Sequence, residues 1–399
     1  MSAHHLRCRV CEQETEREPV DACPRCDGPT DVVYDWPRVR RLLTRETIAA
    51  RSGGVWRYRE LLPSGACVEV GAGSTPLHRS APLSELLGLD LHLKLEDHNP
   101  TGSYKDRIAT VAASTALDHG VTTLCCSSTG NLGDAVAATA VATGVEAVVL
   151  VPEQAAAASS PAPRPGVHVL AVRGTYDDCR RLELELGSLF PWGFVSGNLH
   201  PYASEGAKTI SFEIAEQLGW TLPDAVVCPA ASGTLFAKLT QGFGELTHAG
   251  LADGGVPRMF AGQALGSSPI AAAFADDRGI SRVRASTPYA SLAVGDPSYG
   301  DLALGAARAT GGAVIAVPED EMAAYTELLE QSEVSADCAG GAALGALIAA
   351  VRRGDVEPGS TVVLVVTGAP ARTCGAAPGR VTTIDASARD VLAALGLAS

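Results

Sequence analysis

The sequence predicts an α/β protein built on parallel sheets, and three observations predict it. Short apolar runs bounded by Gly, Pro or polar residues recur at 90–96, 122–128, 146–151, 168–172, 225–229, 258–265 and 361–366. In "TVVLVV" at 361–366 the apolar character is continuous, which marks a strand covered on both faces. Between the runs lie helical patterns, with Ile108, Val111, Ala112, Thr115 and Ala116 at helical spacing. Strand then helix, repeated, means parallel pairing with helices on both faces of the sheet. Finally, 46% hydrophobic and 19% charged residues suit a folded globular chain, and few aromatics with much Ala and Gly suit close packing. At 399 residues the length allows two or three compact units.

Taken in order, the chain opens on a segment of a different kind. Cys8 and Cys11 form one C-x-x-C pair, and Cys23 and Cys26 a second. Two such pairs offer four thiolates to one tetrahedral zinc ion, which closes the coordination sphere and ties down a segment too short for its own core. The plain alternative is four free thiols in a ragged terminus. His4 and His5 read as solvated terminal residues, with one of them replacing a cysteine ligand of the zinc as the lesser alternative. The other seven cysteines, Cys67, Cys125, Cys126, Cys179, Cys228, Cys338 and Cys374, read as reduced, buried small residues. A link near 39–54 leads into the alternating region, and "EQAAAASSPAPRPG" at 153–166 reads as a surface loop.

Lys plus Arg at 31 against Asp plus Glu at 45 give a net charge of −14. That balance disfavours a nucleic-acid footprint or an anionic membrane surface and favours a small-molecule partner. The polar N-terminus has no secretory apolar core, and the apolar run 135–150 is interrupted by Gly144 and Glu146, so a cytoplasmic protein is expected.

Chemistry concentrates at four turns. In "NPTGSYKDR" at 99–107, Pro100 and Gly102 set a tight turn, Thr101 or Ser103 caps the next helix, and Lys105 falls in its first turn. The positive helix end, Arg107 and an apolar pocket would each disfavour the ammonium form, as a Schiff-base lysine requires. The alternative is a solvated lysine paired with Asp106. "SSTGN" at 127–131 runs from a strand end into a helix and presents N–H groups and hydroxyls to an anion such as a carboxylate. Ser232, Gly233 and Thr234 form a second such turn, suited to a phosphate monoester; either could also be mere close packing. A fully apolar strand ends on Thr367 and Gly368, the end of a parallel strand where ligands bind.

Together these stretches resemble the fold-type-II pyridoxal-phosphate enzymes (tryptophan synthase β-like) and, within them, the threonine synthase branch. The resemblance covers about 69–375 and rests on "VEVGAGSTPL", "KLEDHNPTGSYKDR", "SSTGN", "GTYDDC", "HPYASEGAKTISFEIAEQLG" and "GQALGSSPI". It implies a zinc knuckle over 1–38, a large lobe of 55–104 and 206–399, and a small mobile lobe of 105–205. The two lobes would close on pyridoxal phosphate in a homodimer. Lys105 would carry the cofactor and shuttle protons, Asn131 would bond its phenolic oxygen, Ser232, Gly233 and Thr234 its phosphate, and Thr367 would face its ring nitrogen. A hydroxyl there favours elimination and replacement over transamination. Ser128 and Thr129 would hold the carboxylate of an amino-acid substrate, with Tyr104 beside the lysine.

Two departures matter. Ala203 stands where the family places a phosphate-gripping arginine, and Leu132 where it places a threonine after the asparagine. Losing a bidentate cation should weaken O-phosphohomoserine severely. The expected activity is therefore a threonine-synthase-like β/γ-elimination or replacement with an activated oxygen leaving group and an altered substrate-phosphate pocket. A genuine threonine synthase is the enzyme alternative, and a non-catalytic cofactor- or zinc-binding interaction protein the alternative of another class. "TGAPARTC" lacks the family's Gly-Leu-Lys, for which Arg372 could substitute.

Overall fold

The computed structural model describes residues 4–15, 19–20, 22–128, 130–156, 161, 164–369 and 381–397. They group into two compact units, Met1–Ala72 with Lys105–Gly206 and Ala371–Ser399, and Gly73–Tyr104 with Ala207–Pro370. This differs from the expected division. Val55, Trp56, Leu62 and Ala72 pack against Val111, which draws 55–72 to the lysine-bearing unit. A late strand, described below, draws the C-terminal segment there too.

The first unit begins with a small antiparallel sheet of β1 (His4–Cys8), β2 (Glu14–Thr15) and β3 (Thr30–Tyr34), in the order β2-β1-β3. Alternation puts Leu6, Cys8, Val32 and Tyr34 inward. Its larger sheet is wholly parallel: β6 (Thr123–Ser127), β7 (Glu146–Pro152), β8 (Val167–Val172), β9 (Gly193–Phe194) and β14 (Val381–Ile384), ordered β14-β8-β7-β6-β9. Among its helices are α1 (Lys105–Asp118), α2 (Asn131–Thr143), α3 (Tyr176–Gly187) and α4 (His200–Ala203). Cys125, Val148, Leu150, Leu170 and Val172 pack with Leu182 and Leu186 of α3.

The second unit holds a six-stranded sheet. Its strands are β4 (Leu77–Arg79), β5 (Asp90–Leu95), β10 (Ala225–Pro229), β11 (Arg258–Ala264), β12 (Ala313–Val317) and β13 (Thr361–Val366), in the order β12-β11-β10-β13-β5-β4. Only β4 runs antiparallel to its neighbour. β13, five of whose six residues are buried, lies between β10 and β5, so its apolar run reflects a central position. The helices that matter here are α5 (Glu205–Gln217), whose first two residues belong to the other unit, α6 (Thr234–Ala249) and α7 (Cys338–Arg352). The small side chains of α7, among them Ala339, Ala342, Ala343 and Ala346, join Val227, Phe260, Val362 and Leu364 in the core.

All seven anticipated strands are present to within two residues; β1, β2, β3, β4, β9, β12 and β14 were not anticipated. Cys125, Cys126, Cys179 and Cys228 are buried, and burial pushes their thiols up. Cys67 is a correction: it is exposed. Cys374 and Arg372 lie outside the described residues. Among the described residues, no helix is long and apolar enough to cross a membrane.

Candidate active site

In the first unit, Lys105 is the opening residue of α1, as the turn chemistry predicts. It is half-buried, while Asp106 and Arg107 behind it are buried. The next positions down the helix are almost all small, so α1 is enclosed on every side. Asn131 opens α2, which follows β6 through the 127–131 turn. Ser128 stands at the head of that turn. Its Oγ accepts from the N–H groups of Gly130 (3.1 Å) and Gly133 (2.8 Å), and its own N–H donates to the Leu150 carbonyl (2.9 Å). The hydroxyl thus satisfies the N-terminal amides of α2. Thr129 lies outside the described residues.

In the second unit, Thr367 and the Ser232–Thr234 turn follow the adjacent parallel strands β13 and β10, at their carboxyl ends. This is where ligands bind in open parallel sheets. Gly233 caps α6 in the left-handed conformation (φ +83°), and a Cβ on it would stand 2.7 Å from the Tyr299 carbonyl oxygen. No other residue fits there. The Ser232 and Thr234 hydroxyls bond each other at 3.0 Å, beside the N–H groups that open a 16-residue helix. Neutral hydroxyls, orphan amides and a positive helix end form a donor set that fits a phosphate.

The turn ahead of Lys105 is clipped to the end of β13. Tyr104 N–H donates to the Thr367 carbonyl (3.0 Å), Ala369 N–H to the Gly102 carbonyl (3.0 Å), and Ser103 and Gly368 form an antiparallel bridge. Asp337 caps α7, accepting from Ala339 and Gly340 N–H, and its own N–H reaches the Gly368 carbonyl. Burial pushes the Asp337 carboxyl up to about 6.

Sequence reasoning missed what supports this clip. Lys94 Nζ, fully buried on β5, meets Glu213 Oε2 of α5 at 2.7 Å. Glu213 also accepts from the N–H groups of Ser74 (2.7 Å) and Thr75 (3.3 Å). The Thr75 hydroxyl donates to Glu96 (2.6 Å), which accepts from Asn99 Nδ2 (2.8 Å), and Asn99 Oδ1 accepts from Gly73 N–H (2.9 Å). Three separated stretches, 73–75, 94–99 and 213–217, are thereby tied into one buried polar knot under the turn. Hydrogen bonds to Gln217 and the Thr75 carbonyl satisfy the rest of the ammonium, as a buried ion pair requires. The available signal was the set of charged residues inside otherwise apolar strand and helix patterns.

The Sγ atoms of Cys8, Cys11, Cys23 and Cys26 lie within 4.8 Å of one another, the closest pairs at 3.3, 3.5 and 3.7 Å. Four thiolates about 2.3 Å from a central zinc stand about 3.8 Å apart, so the donor set fits a tetrahedral ion. Val10 N–H and Arg25 N–H point at Cys8 and Cys23 sulfur (3.3 and 3.4 Å), the polarity that stabilises bound thiolate. Ala203 is fully buried on α4 and Leu132 half-buried on the first turn of α2.

Residues 68–368 match the family model described as pyridoxal-phosphate dependent enzyme. The chain is 34% identical over 378 residues to a threonine synthase of Methanosarcina acetivorans, covering 92% of this chain and 91% of that protein. It is 31% identical to a threonine synthase of Methanocaldococcus jannaschii, covering 91% of each. Among solved structures, the processed form of threonine deaminase isoform 2 from Solanum lycopersicum shares the fold (TM-score 0.62, 18% identity, 84% of this chain and 85% of that one). So does maize serine racemase (TM-score 0.60, 20% identity, 75% and 89%). With a lysine opening a helix and phosphate-type turns closing parallel strands, the chain belongs to the pyridoxal-phosphate-dependent enzymes and is a lyase of the threonine-synthase-like kind.

Proposed function

We propose that the protein performs elimination or replacement at the β or γ carbon of an amino acid with an activated oxygen leaving group, in a pocket altered from that of threonine synthases. The observation that supports this reading is the pair Ala203 and Leu132, which removes a cation and a hydroxyl from positions that serve the substrate phosphate in that branch.

Pyridoxal phosphate, when bound, supplies an electron sink for charge developing at the substrate α carbon. The protein's residues do the rest. Ser232, Gly233 and Thr234 would bind the cofactor phosphate at the start of α6. Thr367 would face the ring nitrogen with a hydroxyl, and Asn131 would bond the phenolic oxygen. Lys105 Nζ would hold the cofactor covalently; once released by substrate, it would take the proton from the α carbon and return one later. Thr129 and the N-terminus of α2 would hold the substrate carboxylate, with Ser128 keeping that helix end in shape. Cys8, Cys11, Cys23 and Cys26 would bind one structural zinc ion. A cytoplasmic homodimer belongs to the same reading.

A second reading, conversion of O-phosphohomoserine to threonine, draws on the threonine synthases among the relatives. Turnover of O-phosphohomoserine, O-phosphoserine, O-acetylated amino acids, serine and threonine by the purified holoenzyme decides between them. The proposal expects kcat/KM for O-phosphohomoserine to fall well below that of another member of the panel. Equal or higher turnover to threonine overturns it. Borohydride reduction should label Lys105, and Lys105→Ala should cost on the order of a thousandfold or more in rate.

A further inference from the structure

The N-terminal cysteine module is placed against the helix that carries Lys105, and the placement is specific. β1 and β3 pair along five residues, from Cys8 opposite Thr30 at one end to His4 opposite Tyr34 at the other. The metal-type cluster occupies the first end. About 14 Å away, at the spacing of antiparallel strands, the second end meets the α4–α5 corner. There the Tyr34 hydroxyl donates to the Glu205 carboxylate at 2.7 Å, with both residues buried. His4 meets the Tyr202 ring edge-on at 5.9 Å. The next residue, Gly206, is pressed on α1: a Cβ there would lie 2.2 Å from the Arg107 carbonyl oxygen, two residues beyond Lys105. Everything from cluster to lysine lies in one compact unit.

We infer that the cysteine module is a strut that positions the first turn of α1, so that metal occupancy sets how well Lys105 is held for cofactor. Tyr34 and Glu205 are positioning residues. Without a cation the bonds that tie 8–11 to 23–26 are gone, and β1 and β3 are no longer held at that end. The Tyr34–Glu205 bond then loses its fixed donor, a buried carboxylate loses a partner, and the corner slackens against Arg107. The coupling is a free energy between two sites carried by one packed element, typically fivefold or more in affinity. The inference rests on Lys105 being the cofactor lysine and on the four cysteines being the metal ligands.

The test strips metal from the full-length protein with a chelator, with released zinc quantified, and compares it with zinc-restored protein and with Tyr34→Phe. Hydrogen exchange is followed at 105–110 and 200–207, and pyridoxal phosphate affinity by absorbance titration. Stripping should speed exchange in both segments and weaken cofactor binding about fivefold or more, reversed by zinc. Tyr34→Phe should reproduce much of both effects with zinc in place, and stripping that variant should add little. Unchanged exchange and affinity after zinc release, or fully additive effects of stripping and Tyr34→Phe, overturn the inference, as does a protein that binds no zinc. Exchange reports on the strut even in protein that borohydride fails to label, which separates failure here from failure of the Lys105 assignment.

Discussion

Two strand-to-helix turns, one in each unit, look alike in sequence and are built differently. After β6, the Ser128 hydroxyl is folded inward and occupied by the amides of Gly130 and Gly133. After β10, the Ser232 and Thr234 hydroxyls bond each other beside the helix start, and the amide-bearing turn is held open by Gly233 against the Tyr299 carbonyl. The first turn spends its hydroxyl on its own shape; the second keeps its shape through a glycine and leaves its hydroxyls available. A third helix start, at Asp337, does the capping with a carboxylate. Small polar residues at a helix N-terminus therefore do not announce a ligand, and what must be asked is which donors the fold has already used.

The largest effect that sharpens this contrast is expected from Gly233→Ala. The left-handed backbone and the Tyr299 carbonyl leave no space for a methyl group, so strain of about 1–3 kcal/mol adds to a displaced turn. Cofactor affinity, measured by titration, should drop on the order of a hundredfold, and a drop under threefold would break the assignment of this turn to phosphate.

Next comes Asp337→Asn, read by thermal unfolding against pH. The native carboxyl titrates near 6, above the ordinary 3.8. Below about pH 3 both folded and unfolded forms are protonated and the native state carries no deficit. As pH rises from about 4 to 6 the unfolded chain ionises first, and native stability falls by about 2 kcal/mol. Asparagine caps equally well without a charge, so the variant should be more stable than wild type at pH 7.5 and equal to it near pH 3. A constant difference across that range would show that the carboxylate is not disfavoured.

Ser128→Ala should cost about 1–2 kcal/mol in urea unfolding, the loss of a cap, with substrate KM moving with stability rather than ahead of it. A large KM increase at unchanged stability would restore the hydroxyl to the substrate. Ser232→Ala should do the reverse, weakening cofactor binding about tenfold, near 1.4 kcal/mol, while the melting temperature stays within about 2 °C.

How much of this was legible follows from what each feature depends on. Central strands such as 361–366 were readable because burial on both faces removes polar residues altogether. The lysine turn and the paired cysteines were readable because Pro, Gly and C-x-x-C spacing act locally. β9 and β14 were not, since short edge strands take their state from a neighbour rather than from their own residues. The knot of Lys94, Glu96, Asn99 and Glu213 was hidden for a deeper reason. Its members lie up to 119 residues apart, and each alone reads as an ordinary surface charge. The bonds of Ser128 were hidden too, because sequence shows a hydroxyl but not which amides reach it.

Tyr104 to Thr367 and Ala369 to Gly102, the bonds that join the 102–104 turn to the end of β13, run between main-chain groups. Substitution at Ser103 or Tyr104 leaves the donors and acceptors of those bonds in place. Evolution can thus vary the side chains of this turn one at a time while its path along the sheet stays fixed by atoms that every amino acid shares.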